Sequence, residues 1–227
     1  MSAVVVLENA SLTDALTTAL RRQIIGGTII PGTRMSEAWV AERFAVARPT
    51  AKAGLDRLVN EGILRRGPRR SAVVPILSAK DIRDIYYSRE PVESQAVIDL
   101  ARKSLVPIEA DNALAIMRAA ADQSKHSVHT EADVALHRAL VEATGSERLR
   151  RMHGTVIGET QLCIGQVRAS ADVDLHALTD LHALILEAIR CGDPDAAVSA
   201  LRNDLHTCCD RLLRDISKGL HGDEATE

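Results

Sequence analysis

From Ser78 onward the chain shows helical periodicity and no convincing strand, and this run constrains the fold more than any other feature. "SAKDIRDIYYSRE" opens with Ser78 placed to cap a helix and Asp81 to return the bond. Pro91 is expected to kink or interrupt that helix, which continues through "VESQAVIDLARKSL". Pro107 and Ile108 open "IEADNALAIMRAAADQ", with Leu114, Met117 and Ala121 facing inward. Thr130 leads "EADVALHRALVEATG", which Gly145 closes, and "ERLRRMHGTVIGETQLCIGQV" reads as a longer helix weakened by glycines. "DLHALTDLHALILEAIRCG" is apolar at Leu178, Leu181, Ile185 and Ile189. Asp193 then caps a last helix that starts at Pro194, and the tail after Gly219 is expected to be disordered. Six or seven antiparallel helices make a bundle, a fold whose ligand sites are built from side chains on facing helices.

The first third follows a different pattern. "SLTDALTTALRRQIIGGTI" predicts a helix capped by Ser11, with Leu12, Leu16, Ala19, Leu20 and Ile24 on one face and Gly26-Gly27 at its end. "PGTRM" reads as a turn, and Ser36 caps a second short helix with Trp39, Val40 and Phe44 inward. "RPTAKAGLDRLVNEG" predicts a third helix with Pro49 at its first position, Leu55, Leu58 and Val59 in the core, and Gly62 at the stop. "ILRRGPRRSAVV" then alternates through a strand, a tight basic turn at Gly67-Pro68 and a second strand. Three helices followed by a basic hairpin form a helix-turn-helix with a wing. The expected class is therefore mainly α: a winged helix-turn-helix over residues 1–77 and an all-helical antiparallel bundle over residues 78–227.

Charge separates the same two regions. Residues 1–77 carry 11 Lys/Arg against 6 Asp/Glu, whereas the remainder carries 17 against 25, so a basic part adjoins an acidic one. The basic groups sit where duplex DNA needs them. Arg48, Thr50 and Lys52 occupy the start of the third helix, the end that enters a major groove, and Arg65, Arg66, Arg69 and Arg70 crowd the hairpin. Aromatic residues make up only 2% of the chain, which argues against a single-strand nucleic-acid module built on stacking platforms. The four cysteines show no CxxC spacing and are expected to be free thiols. With no run of transmembrane length and no signal-peptide pattern in "AVVVL", a cytoplasmic location is expected and no membrane partner.

"IIGGTIIPGTRMSEAWVAERFAVARPTAKAGLDRL" followed by "GILRRGPRRSAVV" resembles the winged-helix domain of the GntR family of bacterial transcription regulators. By that resemblance Arg34, Arg48 and Lys52 stand where the family contacts DNA. The chain departs from the family at Ala47 and Lys52, where Ser and Arg are usual, and at Ser71, which replaces a wing-tip glycine that lets the backbone approach the minor groove. A different operator preference is expected from these changes. "YYSREPVE", "DVALHRALVEATG" and "LHALILEAIRCGDPDAAVSALRNDL" resemble the FCD effector-binding domain of the FadR subfamily. Together the two resemblances span nearly the whole chain. They imply a homodimer on a roughly palindromic operator, more often a repressor than an activator, controlled by a small organic acid.

Asp133 and His137, at i and i+4, lie on one helical face, so both can reach one point in the bundle. The residues alone leave open a core Asp–His pair and half of a metal site. The FCD resemblance implies the second reading, since that family's metal site takes an Asp and a His from this helix and one His from each of two later helices. His182 matches the first of these, and Asp204 stands where the second is expected. His206, two residues further on, is turned about 200° around the helix. The implied set is Asp133, His137, His182 and Asp204, suited to Zn, Mn or Ni with water or an effector carboxylate in the open positions. The added carboxylate weakens the attraction for an anionic effector. Arg89 matches an arginine of the family's first effector-domain helix and can clamp a carboxylate, or instead pair with Glu93. Two rival functions are a metal-dependent enzyme using the Asp/His cluster and a DNA-binding dimer with a vestigial effector pocket. No separate nucleophile or general base stands out for the enzyme, and the expectation is a regulator without catalytic residues.

Overall fold

The computed structural model describes residues 12–67, 71–167 and 173–222. It divides into two compact units, Met1–Ile76 and Leu77–Glu227. The first contains α1 (Leu12–Ile25), β1 (Arg34–Met35), α2 (Glu37–Arg43), α3 (Arg48–Asn60), β2 (Arg65–Arg66) and β3 (Ala72–Val73). The expected cap at Ser11 lies outside the described residues. α1 buries Leu16, Leu20 and Ile24 as its periodicity predicts, but the face is rotated. Leu12 is 60% exposed, Ala19 is only half-buried, and Thr17 takes their place in the core. The Thr17 hydroxyl donates to the Thr13 carbonyl at 2.7 Å, so a polar group enters the core satisfied. α1 packs closely on α3 at Gly54, where a Cβ would stand 3.0 Å from Leu16.

The "PGTRM" turn is shorter than expected. It ends at Gly32, whose φ of 83° suits glycine, and Arg34–Met35 is a strand rather than part of the turn. The physical reason is the open edge of β3, whose backbone needs partners. β1 pairs antiparallel with β3 (Arg34↔Val73, Met35↔Ala72), β2 pairs on the other side (Arg65↔Val73, Arg66↔Ala72), and the sheet order is β1-β3-β2. Ser36 caps α2 by accepting from the Trp39 N–H at 3.1 Å. Of the three residues expected inward there, only Val40 is fully buried; Trp39 and Phe44 are half-buried. The Arg43 guanidinium covers the Trp39 ring, 5.3 Å from its centroid. α3 begins one residue earlier than expected, at Arg48, with Pro49 second, a position whose N–H has no intrahelical partner either. Ala51, Leu55 and Leu58 are buried while Val59 is half-buried, and Gly62 with φ 76° stops the helix.

The second unit holds six helices among the described residues: α4 (Ala79–Ala101), α5 (Ile108–Asp122), α6 (His126–Glu142), α7 (Glu147–Gln166), α8 (Leu175–Arg190) and α9 (Pro194–Gly222). α4 is closed by a full capping box between Ser78 and Asp81. Contrary to the expected interruption, it runs straight through Pro91 as one helix. Pro91 lies on the exposed face beside exposed Tyr87, so water can satisfy the carbonyl that proline leaves without a donor. α6 begins at His126, a turn before Thr130, because His129 is buried and tied to α8. α9 continues beyond Gly219 to Gly222, where order was not expected. Leu181 is half-buried, and Leu186 takes its place in the core beside the expected Leu178, Ile185 and Ile189. α4 packs on α6, α7, α8 and α9, and α8 on α5 and α9, so α4, α6, α8 and α9 surround one interior. The cysteines are free thiols. Among the described residues no helix is long and apolar enough to cross a membrane.

Candidate metal centre

Helical phase on α6 places Asp133 and His137 one turn apart and inward, between apolar Val134, Leu136 and Leu140. α8 brings His182 to the same point, in phase with Leu178 and Ile185, and α9 brings Asp204 beside Leu201 and Leu205. Asp133, His137 and His182 each offer one ligand atom, and these atoms lie within 4.8 Å of one another. Asp133 Oδ1 is 3.6 Å from His137 Nε2 and 3.5 Å from His182 Nε2. Asp204 stands alongside this trio, with Oδ2 3.4 Å from His137 Nε2 and Oδ1 3.7 Å from His182 Nδ1. Atoms held 2.0–2.2 Å from a tetrahedral ion are roughly 3.4 Å apart, so the 3.4–3.6 Å spacings about Asp133 Oδ1 and His137 Nε2 fit a first-row divalent cation, whereas Asp204 Oδ1 faces the Nδ1 of His182. The His182 ring adds a second mark of fit. Its Nδ1 donates to the Leu178 carbonyl at 2.8 Å, which leaves Nε2 as the lone-pair nitrogen, buried and without a hydrogen-bond partner.

Burial works against every charge in this cluster, and its neighbours overrule burial. Asp133 is held well below the usual carboxylate range: burial raises it, and the His182 imidazole beside it, with His137 and Arg89 behind, more than compensates. For His137, burial pulls the pKa down but the Glu93 carboxylate pushes it up to about 10, with Asp204 assisting. His182 is likewise lowered by burial and raised on balance by Asp204 and Asp133. A divalent ion with two neutral imidazoles and two carboxylates brings the site to neutrality. Asp133 is the most open of the four, with 14% of its side chain exposed against 1% for His137, His182 and Asp204.

Behind this cluster lies a second polar group that the sequence showed only in part. Arg89 and Glu93 make the i, i+4 pair through two hydrogen bonds, Nε to Oε1 at 2.7 Å and Nη2 to Oε2 at 3.2 Å, both side chains buried. The Glu93 carboxylate also lies 2.9 Å from His137 Nδ1 and 3.0 Å from His153 Nε2. Burial raises Glu93, and Arg89, His137 and His153 together hold it well below its ordinary value. His153 was not a sequence candidate, although it falls in phase with buried Ile157 and Thr160 on α7. His129, one turn before Asp133, meets the Thr179 hydroxyl at 2.9 Å, and burial lowers its pKa against the pull of Asp133. His206 points away and is exposed, 3.7 Å from Glu90.

The DNA-contact candidates form no such cluster. Arg34 lies on β1 and Arg48 at the first position of α3, both exposed and, among the described residues, without an ion pair. Thr50 is half-buried. Lys52 is exposed and joined to Asp56 at 2.7 Å, and Asp56 also receives Arg66 at 2.8 Å. Arg69 and Arg70 lie outside the described residues. Ala47 caps α3 with no side-chain hydrogen bond, leaving the first N–H groups of the helix open to an anion or water.

The family descriptions that match agree with this architecture. "Bacterial regulatory proteins, gntR family" matches residues 12–74, and "FCD domain" matches residues 84–207. The gluconate operon transcriptional repressor of Bacillus subtilis is 25% identical over 212 residues, which cover 91% of this chain and 87% of that protein. The HTH-type transcriptional regulator YdhC of the same organism is 24% identical over 209 residues, 88% of this chain and 90% of its own length. Among solved structures, Escherichia coli McbR/YncC superposes with a TM-score of 0.76 at 20% identity, covering 91% of this chain and 99% of its own. A transcriptional regulator from Rhodococcus sp. RHA1 gives 0.73 at 23% identity, covering 88% and 97%.

Proposed function

We infer that this chain, which belongs to the GntR family of bacterial regulatory proteins and carries an FCD domain, is a metal-dependent and ligand-responsive repressor. Its action as a DNA-binding transcription regulator rather than an enzyme follows from its membership and from its relatives, which are regulators. The finer reading is that a homodimer binds a roughly palindromic operator through Arg34, Arg48, Thr50, Lys52, Arg69 and Arg70. A divalent cation, Zn, Mn or Ni, sits on Asp133, His137, His182 and Asp204, and a small organic acid completes its coordination. The observation that carries the metal reading is the trio of donor atoms within 4.8 Å, one of them a buried nitrogen without a hydrogen-bond partner. When bound, the ion supplies a Lewis-acidic position for a carboxylate. The residues of the chain do the rest: two carboxylates neutralise the cation, and Asp133 is the most exposed of the four.

Arg89 has a narrower place in this reading than a free carboxylate clamp, since both its bonds go to Glu93. The name of the Bacillus subtilis relative makes gluconate the first acid to try as a probe. The test uses purified full-length protein and duplexes from the DNA beside its own gene. Binding is followed with the metal-stripped protein, with Zn, Mn or Ni added, and with gluconate and other small hydroxy acids added to each. Specific binding that shifts with acid only in the metal-loaded protein supports the reading. Failure to take up any of the three metals, with binding indifferent to acids, removes the metal and effector arms and leaves a DNA-binding protein.

A further inference from the structure

We propose that Glu93 is a positioning residue for the metal centre, holding His137 from behind so that its Nε2 faces Asp133 and Asp204. The inference rests on the metal reading above and adds to it a residue from a fourth helix. A histidine that binds a cation through one ring nitrogen needs a partner for the other, and that partner sets the tautomer and the ring orientation. Glu93 Oε2 lies 2.9 Å from His137 Nδ1, an ion-pair contact not aligned as a hydrogen bond, while His137 Nε2 is turned to Asp133 at 3.6 Å and Asp204 at 3.4 Å. The carboxylate is fixed in turn. Arg89 grips both of its oxygens, and His153 reaches Oε1 at 3.0 Å. Glu93 and Arg89 come from α4, His153 from α7 and His137 from α6, so three helices converge on one carboxylate that is 97% buried.

Chemistry explains why the chain puts a carboxylate there. Placing Arg89 in the interior requires an anion beside it, and Glu93 satisfies that need with lone pairs left for two imidazoles. His182 is oriented differently, by the Leu178 carbonyl of its own helix. The two imidazoles therefore differ in their support: a neutral backbone acceptor behind His182 and an anion, the more basic partner, behind His137. Glu93, Arg89 and His153 are not offered as ligands. Their part is to present His137 in one orientation with one nitrogen free. Arg89 acts a step further back, by steadying Glu93.

The test starts with wild-type protein loaded with Zn, whose 15N-labelled imidazoles are read by NMR. His137 should show a protonated Nδ1 and a metal-bound Nε2; coordination through Nδ1 would overturn the proposal without any variant. The second measurement compares Zn affinity by chelator competition in the wild type, E93Q and the double variant R89Q/E93Q. The double variant leaves no unpaired charge in the core and so guards against simple unfolding. A loss of roughly 10–100-fold in metal affinity is expected, together with a changed visible spectrum when Co(II) replaces Zn. Glu93→Asp, which keeps the charge, should recover part of the affinity. Unchanged affinity and an unchanged Co(II) spectrum in folded R89Q/E93Q would sink the role of Glu93 while leaving the metal site standing. A wild type that binds neither Zn nor Co(II) would remove the site itself, and the positioning role with it.

Discussion

The two units place their polar side chains in opposite ways. In the winged-helix unit the charges lie outside: Arg34, Arg48 and Lys52 are exposed, and Thr17 is the one buried polar side chain among the described residues. In the helical unit Arg89, Glu93, His129, His137, His153, His182 and Asp204 are all buried. Exposed charges cost little to keep and are free to meet a polyanion, and their mutual pairs add little to stability. Buried charges must satisfy one another, because removing one partner leaves the other without water. A surface for DNA can thus be altered residue by residue, whereas an interior site stands or falls as a network.

The severest way to break this contrast is to cut one pair of each kind. Glu93→Ala should cost about 3–5 kcal/mol in urea unfolding of the metal-free protein, because Arg89 is left buried and unpaired. Asp56→Ala, which frees Lys52 and Arg66 on the surface, should cost at most about 1 kcal/mol. Equal losses would erase the distinction. Metal provides the next largest effect. Zn at 100 times its Kd should stabilise the wild type by about 2.7 kcal/mol, and the increment should vanish in His137→Ala while persisting in Arg48→Ala.

Arg48→Ala sharpens the comparison from the other side. Specific duplex binding should weaken by about 1–3 kcal/mol, with preference relaxed at one base pair of each half-site. Folding stability should move by no more than about 0.5 kcal/mol, as for other surface changes. Titration against specific and random duplexes checks the first, urea unfolding the second. The smallest effect belongs to Lys52→Ala. All duplexes should bind somewhat less tightly, and the slope of log K against log salt should become shallower by about 0.9, because one phosphate is no longer neutralised. A change confined to one sequence would assign Lys52 to base reading instead.

Much of the fold was legible because it is local. The capping box at Ser78 and Asp81, the helix opened by Asp193 and Pro194, and the inward faces of α3 and α5 follow from spacing within one or two turns. Where the pattern misled, a neighbour distant in sequence had intervened. The β3 edge drew Arg34–Met35 into the sheet, and α8 held His129 so that α6 began early. Pro91 failed to break α4 because its missing N–H costs little on a face open to water.

The site divides along the same line. Periodicity by itself determined that Asp133 and His137 share a face of α6 and that His206 turns away from Asp204, since an α-helix repeats every 3.6 residues whatever surrounds it. The pairing of Arg89 with Glu93 was also available at i, i+4. Only the tertiary structure decided that Glu93 stands behind His137, that His153 joins it from α7, and that Asp204 lies beside the trio. No spacing within one helix encodes these contacts. They depend on which helices pack together and at what rotation, and that is settled by the fit of Leu, Ile, Val and Ala side chains across the whole bundle.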